Sequence, residues 1–426
     1  MPRTPGGRSA VLFIFITVLV DTIGLGIILP VMPELIMQLT GEGLSRAAVY
    51  GGWLWFIYAV MQFFCAPVLG NLSDRFGRRP VILFALLALG LDYLIMAVAP
   101  NIVWLFVGRT IAGMAGASYT PAYAYLADVS PPEKRAQNFG LVGAAFGSGF
   151  IVGPAVGGLL GALGPRAPFF AAAGFALLNV TLGFFVLPES LSTESRRPFD
   201  LRRANPLGTM LQLRKFPAVT GFATSLFVWQ VAHQVLPSTW SYYTMLKFRW
   251  SEAEVGASLA FVGIIMAVGQ GGLTRLIIPR LGERRAALAG LFFGAAAFVG
   301  YAFATRGWMM YVLMLAWLAA GLVYPSINAI LSRLIPANAQ GELQGGVASL
   351  SSISAITGPP LMTQLFGHFS AAGASIQFPG AAFLFAALLA AGGGVLFLRA
   401  SRSRATSSTA RALSTVAPES NLPQEL

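Results

Sequence analysis

The sequence predicts an all-α integral membrane protein with twelve transmembrane helices in two parallel six-helix repeats. The first observation is composition. The chain is 56% hydrophobic and 10% charged, with a mean hydropathy of +0.70, whereas soluble domains carry about 25% charged residues. The second observation is an internal repeat, because distant segments match each other at a single offset.

Long apolar stretches provide the twelve helices. A helix of about 20 apolar residues crosses the roughly 30 Å of hydrocarbon in a bilayer. The predicted spans are residues 9–31, 48–70, 79–99, 102–124, 138–161, 167–187, 217–240, 254–276, 284–304, 307–331, 343–366 and 379–400.

The repeat is visible in loop residues and in helix-breaking residues, each recurring 205 positions later. The matching pairs are Arg75 and Arg280, Gly77 and Gly282, Arg79 and Arg284, Gly140 and Gly345, Gly153 and Gly358, and Pro154 and Pro359. One offset shared by several apolar segments indicates a duplicated unit. Two parallel repeats in a membrane favour a transporter.

Two pairs of charged residues change sign between the repeats. Arg78 becomes Glu283 and Asp128 becomes Arg333. If Arg78 pairs with Asp128, then Glu283 pairs with Arg333, which is the same bridge with reversed charges. The sequence therefore predicts an ion pair at the same place in each half.

The net charge of +12 follows the predicted topology and does not indicate a nucleic-acid site. Most of the 28 Lys and Arg residues fall on the side that holds both termini. The exceptions are Arg46, Arg166, Lys247, Arg249 and Arg306 on the other side, and Arg109 inside a span. By the positive-inside rule, we expect a multi-pass protein of the inner (plasma) membrane with both termini in the cytoplasm.

The organisation follows from the repeat. We expect a six-helix bundle over 1–190, a cytoplasmic linker over 191–216, a second bundle over 217–400 and a disordered cytoplasmic tail over 401–426. The chain shows neither a Gly-rich nucleotide-binding loop nor a nucleophile–base or metal-ligand constellation. We therefore expect no enzyme activity, no bound cofactor and no metal site.

Three ionisable residues lie well inside predicted spans: Asp21, Asp92 and Arg109. A charged side chain in mid-membrane costs roughly 2.5–3.5 kcal/mol, so it needs a partner or a water-filled cavity. A carboxyl group removed from water can exchange a proton near neutral pH. Asp92 and Arg109 fall at similar depth in adjacent antiparallel spans. They form either a proton-coupling site with Asp21 or a static bridge.

The loop between spans 2 and 3 predicts a cytoplasmic gate, with a plain positively charged loop as the alternative. Asp74 is expected against the N-terminus of span 11, where the helix dipole favours a carboxylate. The gate residues are Gly70, Asp74, Gly77, Arg78, Arg79, Asp128, Glu283 and Arg333.

Span 5 carries small residues that permit close helix contact and a proline that bends the helix. They suit either a rocking motion of the two halves or packing alone. These residues are Gly149, Gly153, Pro154, Gly157 and Gly158.

Three segments resemble signature motifs of the major facilitator superfamily: Gly70–Pro80, Arg109 with Gly113, and Gly149–Gly158. The chain is most similar to the branch of tetracycline/proton antiporters. This resemblance implies alternating access and exchange of a cytoplasmic drug for an external proton, with the proton gradient as energy source. It also implies that the drug travels as a chelate with a divalent cation such as Mg²⁺. Asp21, Asp92, Arg109, Asp74 and Arg78 fall on positions that matter in the family.

The resemblance has departures. Many tetracycline pumps place a histidine in span 8 and an aspartate in span 9, where this chain has Met266 and Gly294. Export of other drugs or metabolites, or facilitated uptake, therefore stays an alternative. We expect a monomer that works on a small molecule and protons in a lipid bilayer. The candidate cavity residues are Gln62, Trp229, Gln230, Gln234, Trp240, Met266, Gln270 and Asn328.

Overall fold

The computed structural model describes residues 7–116, 119–199, 217–336 and 339–416. Its side-chain description also omits residues 7–9, 136, 217–218, 270–271 and 403–416. Part of the predicted linker, residues 200–216, and the end of the predicted tail, residues 417–426, therefore lie outside the described residues.

The first half consists of helices joined by short turns. They are α1 (Gly7–Ile28), α2 (Met32–Thr40), α3 (Leu44–Phe76), α4 (Arg78–Val98), α5 (Ile102–Gly116), α6 (Tyr119–Val129), α7 (Pro132–Gly161) and α8 (Ala167–Val186). Gly77 joins α3 to α4 with a φ of 106°. This value is accessible to glycine but strained for other residues, so the turn requires Gly77.

The second half repeats this plan with more interruptions. Its helices are α9 (Pro217–His233), α10 (Val235–Phe248), α11 (Glu252–Val268), α12 (Thr274–Leu281), α13 (Glu283–Phe303), α14 (Gly307–Met314), α15 (Trp317–Ala320), α16 (Val323–Arg333), α17 (Gln340–Ser370) and α18 (Ala381–Val416). Gly282 has a φ of 77° and joins α12 to α13 as Gly77 joins α3 to α4. A capping box between Ser251 and Glu254 fixes the start of α11.

Within the described ranges, nine helices are long and apolar enough to cross a membrane. The remaining crossings of the predicted twelve come from α9 with α10, from α11 with α12, and from α17. A one-residue break separates α9 from α10, a π-helical turn at Gly269–Leu273 separates α11 from α12, and α17 is 31 residues long. Several helices extend beyond their predicted spans, because a helix can continue past the hydrocarbon after its side chains turn polar.

The last helix differs from the prediction. Residues 401–416 are helical, whereas the sequence indicated a disordered tail from residue 401. Residues 401–416 contain neither glycine nor proline, so no helix-breaking residue interrupts the continuation of the membrane helix.

The two halves contact each other at one end of the molecule. We call the end that holds Gly77 and Gly282 the loop side, and the opposite end the far side. On the far side, Ser370 Oγ donates a hydrogen bond to Ser45 Oγ at 2.7 Å, and Ser241 Oγ donates one to the Leu29 carbonyl at 2.9 Å. These contacts join α17 to α3 and α10 to the residue that follows α1, and they hold the far side closed.

Candidate functional site

Asp92 on α4 and Arg109 on α5 form a buried ion pair. Arg109 Nη2 donates to Asp92 Oδ2 at 2.8 Å. Asp92 is 0% exposed and Arg109 is 6% exposed. The predicted approach of these two residues is confirmed. Gly108 makes room for the pair, because a Cβ atom there would lie 2.6 Å from Asp92 Oδ1.

The pair leaves polar atoms unused. Asp92 Oδ1 and Arg109 Nε are buried and have no hydrogen-bond partner among the described residues. Leaving a buried donor or acceptor unpaired costs about 1–3 kcal/mol. Such a cost is reduced if a water molecule reaches these atoms, so the pair is suited to a site that exchanges protons with water.

Asp21 lies beside this pair in a small cavity. Asp21 and Arg109 both line a space of about 20 Å³, and Asp21 Oδ1 has no partner in the described part of the chain. A space of this size holds about one water molecule. The structure therefore brings together the three residues predicted for proton coupling, because Arg109 pairs with Asp92 and lines the cavity that Asp21 also lines.

Three tyrosines complete the walls of this cavity: Tyr58, Tyr93 and Tyr119. The centre of the Tyr58 ring lies 5.7 Å from the Arg109 Cζ atom, within range of a cation–π interaction. Sequence reasoning missed Tyr58 and Tyr119 as site residues. The available signal was a tyrosine inside an apolar helix, since a buried hydroxyl needs a polar partner.

The predicted charge cluster of the first half is present on the loop side. Arg78 lies 2.5 Å from Asp74 and 3.3 Å from Asp128, and it donates to Ser73 Oγ at 2.6 Å. Arg78 thus ties the start of α4 to the ends of α3 and α6. The predicted pairing of Arg78 with Asp128 is confirmed.

Glu189 also belongs to this cluster, although sequence reasoning did not select it. Its carboxylate accepts hydrogen bonds from the backbone N–H groups of Arg78 at 2.8 Å and Arg79 at 3.3 Å. It therefore caps the N-terminus of α4, where the helix dipole favours a negative charge. Glu189 also fills the space beside Gly77 that a Cβ atom would need.

The second half contains the reversed pair. Arg333 Nη2 lies 2.6 Å from Glu283 Oε1, which confirms the predicted bridge.

The Asp74 carboxylate, which was expected against the N-terminus of span 11, has a different partner in the structure. The Asp74 carboxylate pairs with Arg78 in its own half, and the Asp74 carbonyl accepts from the Arg197 N–H at 3.0 Å. The hydrogen bond that joins α3 to α17, from Ser370 to Ser45, lies on the far side, at the opposite end of α3 from Asp74.

The glycines of α7 lie against two neighbouring helices. A Cβ atom on Gly149 would lie 2.7 Å from Thr22 Cβ, and one on Gly153 would lie 2.9 Å from Gly26 Cα. A Cβ atom on Gly157 would lie closer still to the carbonyl oxygen of Ile27 on α1. On the other face of α7, Gly158 and Pro154 abut α11 of the second half. The small residues thus let α7 pack tightly between the two halves.

A cavity of about 410 Å³ lies against the second half. Five of the predicted cavity residues line it, together with aromatic residues that were not selected. The predicted ones are Trp229, Gln230, Gln234, Trp240 and Met266, and the others include Phe150, His233, Tyr301, Trp317 and Tyr324. Among its described lining residues, none carries a carboxylate, an ammonium or a guanidinium group.

The other three predicted cavity residues have different positions. Gln62 lines a separate cavity of about 500 Å³ between α3, α6 and α17. Asn328 exchanges hydrogen bonds with Gln344, with Gln344 Nε2 donating to Asn328 Oδ1 at 3.2 Å. The side chain of Gln270 lies outside the described residues.

Gly294, the position of the expected aspartate, faces the Trp229 ring. A Cβ atom on Gly294 would lie 2.7 Å from Trp229 Cζ3. The indole ring therefore occupies the space that a side chain at 294 would need. Trp229 lines the 410 Å³ cavity. The cavity therefore has an aromatic wall where an aspartate at position 294 would have placed a carboxylate.

Three comparisons agree with this architecture. Tetracycline resistance protein, class C, of Escherichia coli is 43% identical over 359 residues, which cover 84% of this chain and 90% of that protein. Multidrug resistance protein 2 of Bacillus subtilis is 29% identical, with 84% and 89% covered. The crystal structure of a bacterial homologue of the human lysosomal transporter Spinster, inward-facing and unoccupied, has a TM-score of 0.77. It is 14% identical, with 94% and 98% covered.

The sequence profile of the Major Facilitator Superfamily matches residues 14–345. The match includes the Gly77 turn, the Asp92–Arg109 pair and the glycines of α7. Together with the helical architecture, it makes this chain a membrane transport protein. The chain belongs to the major facilitator superfamily, in the branch that includes the tetracycline resistance proteins.

Proposed function

We propose that this protein is a proton-coupled antiporter that exports tetracycline by alternating access. It acts as a monomer in the plasma (inner) membrane, with both termini in the cytoplasm. The loop side then faces the cytoplasm, as the distribution of Lys and Arg favours. The similarity to tetracycline resistance proteins supports the substrate.

The single observation that carries the proposal is the buried Asp92–Arg109 pair beside Asp21. When Asp92 binds a proton, its attraction to Arg109 is lost and the helices that hold the pair can separate. When Arg109 returns to Asp92, the proton is released. A site of this kind couples one protonation to a choice between two arrangements of the halves.

The 410 Å³ cavity is the proposed drug site. Its volume is in the range of pockets that enclose a drug-sized ligand. Its aromatic side chains offer flat apolar surfaces, and Gln230 and Gln234 offer amide groups. Since the described lining residues carry no carboxylate, a divalent cation such as Mg²⁺ would travel as part of the substrate, ligated by the drug and water.

The geometry of the halves fits a cytoplasm-facing state in this scheme. The far side is closed by Ser45, Ser370, Ser241 and Leu29. The 500 Å³ cavity lies between the halves nearer the loop side, among Gln62 and neighbours on α3, α6 and α17. Drug would enter from the loop side and leave after the closed side opens.

The test is tetracycline uptake into everted membrane vesicles, with an imposed proton gradient that is then collapsed, with and without Mg²⁺. We expect uptake that depends on both the gradient and Mg²⁺. Uptake that survives collapse of the gradient would favour a facilitative carrier. No uptake, with the protein present in the membrane, would exclude tetracycline as the substrate.

A second candidate is export of other planar amphipathic drugs. The Trp229 ring fills the space that a side chain at position 294 would need. The cavity is therefore more aromatic and less charged than one with an aspartate at position 294. The similarity to a multidrug resistance protein of Bacillus subtilis agrees with this candidate. A panel of neutral and cationic drugs in the same vesicles distinguishes the two candidates.

A further inference from the structure

We propose that the Tyr58 hydroxyl relays protons between the buried carboxylates and the cavity beside Gln62, by a route separate from the drug cavity. The proposal rests on the proton coupling proposed above. It assigns Tyr58 a role as a positioning and relay residue in addition to its packing in α3.

Tyr58 lies where two small cavities meet. It lines the space of about 20 Å³ that contains Asp21 and a second space of about 30 Å³. Arg109 lines both spaces as well. Each is large enough for one or two water molecules and too small for a drug. Tyr58 and Arg109 thus form the common wall between them.

The hydroxyl of Tyr58 lies beside two residues, Gln62 and Gly116, that line a third, larger space. Gln62 Nε2 lies 3.4 Å from Tyr58 Oη and donates to the Gly116 carbonyl at 3.2 Å. Gln62 and Gly116 both line the 500 Å³ cavity between the halves. A Cβ atom on Gly116 would lie 2.7 Å from Tyr58 Oη, so only glycine leaves the hydroxyl this position.

Unpaired oxygen atoms mark the inner end of the route. Asp21 Oδ1 and Asp92 Oδ1 are buried and have no partner among the described residues. A proton on the Asp21 carboxyl group, which lines the small cavity with Arg109, the partner of Asp92, can pass to a water molecule there. That water gives a proton to Tyr58 Oη while the Tyr58 O–H gives its own proton to water beside Gln62. Tyr58 ends as it began, and one proton has moved.

A narrow wall separates the drug cavity from this site. Leu29, Pro237 and Ser241 line both the 410 Å³ cavity and the 30 Å³ space. The hydrogen bond from Ser241 Oγ to the Leu29 carbonyl, at 2.9 Å, closes part of this wall. A bound drug can therefore influence Arg109 through the wall, while protons leave on the Gln62 side.

The test compares Tyr58→Phe with wild type in everted vesicles. Phenylalanine keeps the ring beside Arg109 and removes only the hydroxyl. We expect gradient-driven tetracycline uptake to fall at least about tenfold, because assisted proton transfer typically contributes 10²–10⁴-fold. Drug-for-drug exchange requires no net proton movement, so its rate and the KM for the drug should stay near wild type.

Tyr50→Phe is the matched control. Tyr50 donates to Glu42 at 3.0 Å on the far side, away from the pair. The Tyr50→Phe variant should show wild-type rates of both gradient-driven uptake and drug-for-drug exchange. Tyr58→Phe with wild-type uphill uptake would overturn the relay, and an equal loss of exchange and uphill uptake would reduce Tyr58 to a structural role. Wild-type protein without gradient-driven uptake would overturn the proposed function itself.

Discussion

At the scale of single residues, the pairing of Asp92 with Arg109 is a costly arrangement unless it changes during function. Removing two charges from water costs several kcal/mol for each ion, and a buried pair recovers this only with further hydrogen bonds. Here Asp92 Oδ1 and Arg109 Nε lack them. An apolar pair would hold α4 against α5 at lower cost, so the charges indicate a coupling role.

Asp92→Asn should abolish uphill transport and leave the protein folded. Asparagine keeps the shape and one acceptor for Arg109, but it cannot bind and release a proton. Uptake into vesicles with an imposed gradient measures the loss, and thermal unfolding of the purified protein measures the fold. Glu42→Gln is the control, because its pair with Arg46, at 2.9 Å, is exposed and such pairs contribute about 0–1 kcal/mol. Full activity of Asp92→Asn would contradict a proton-carrying role.

The sequence identifies charged site residues better than neutral ones. Asp21, Asp92 and Arg109 stand out because ionisable groups are rare in apolar helices, and the repeat predicts the partners of Arg78 and Glu283. Tyrosine is common at membrane helices for packing, so Tyr58 and Tyr119 carry no comparable signal. Their role becomes visible only when the structure places them around one cavity.

At the scale of helices, the packing of α7 requires its backbone to approach α1 closely. Gly153→Ala should lower the unfolding temperature and slow transport, since the added Cβ would lie 2.7 Å from the Ile23 carbonyl and 2.9 Å from Gly26 Cα. Overpacking of this kind costs about 1–3 kcal/mol. Gly147→Ala is the matched control on the same helix, because a Cβ there meets nothing within 4 Å. Equal behaviour of the two variants would exclude close packing as the function of Gly153.

The reversed ion pair allows a charge-exchange experiment. Glu283→Arg should slow transport roughly fivefold, if the loss of this pair shifts the balance of conformations by ~1 kcal/mol. Adding Arg333→Glu should restore the rate, because the 2.6 Å pair is re-formed with opposite signs. The same exchange at Arg78 and Asp128 should restore less, since Arg78 also contacts Asp74 and Ser73. Uptake by all four variants and wild type provides the comparison, and a double variant no better than Glu283→Arg would argue against the pair.

At the scale of the whole molecule, the sequence predicts two bundles but not their relative position. An arrangement of the halves that is open on the loop side and one that is open on the far side bury similar apolar faces. Composition and periodicity therefore do not distinguish these two arrangements. The structure settles this through specific contacts, such as Ser45 with Ser370. It also shows interruptions that hydropathy misses, including the π-helical turn Gly269–Leu273 beside the drug cavity.

Alternating access requires the far-side contact between α3 and α17 to break in every cycle. The double substitution Ser45→Cys and Ser370→Cys tests this in a Cys65→Ser background, which removes the single native cysteine. The two hydroxyl oxygens are 2.7 Å apart, so cysteines at these positions would place their sulfur atoms close together, and we expect a disulfide under mild oxidation. Oxidation should then stop uptake, and reduction should restore it, while each single cysteine variant stays active under both conditions. If the cross-linked protein transported drug at the rate of the reduced protein, the far side would not open during transport and alternating access through this contact would be excluded.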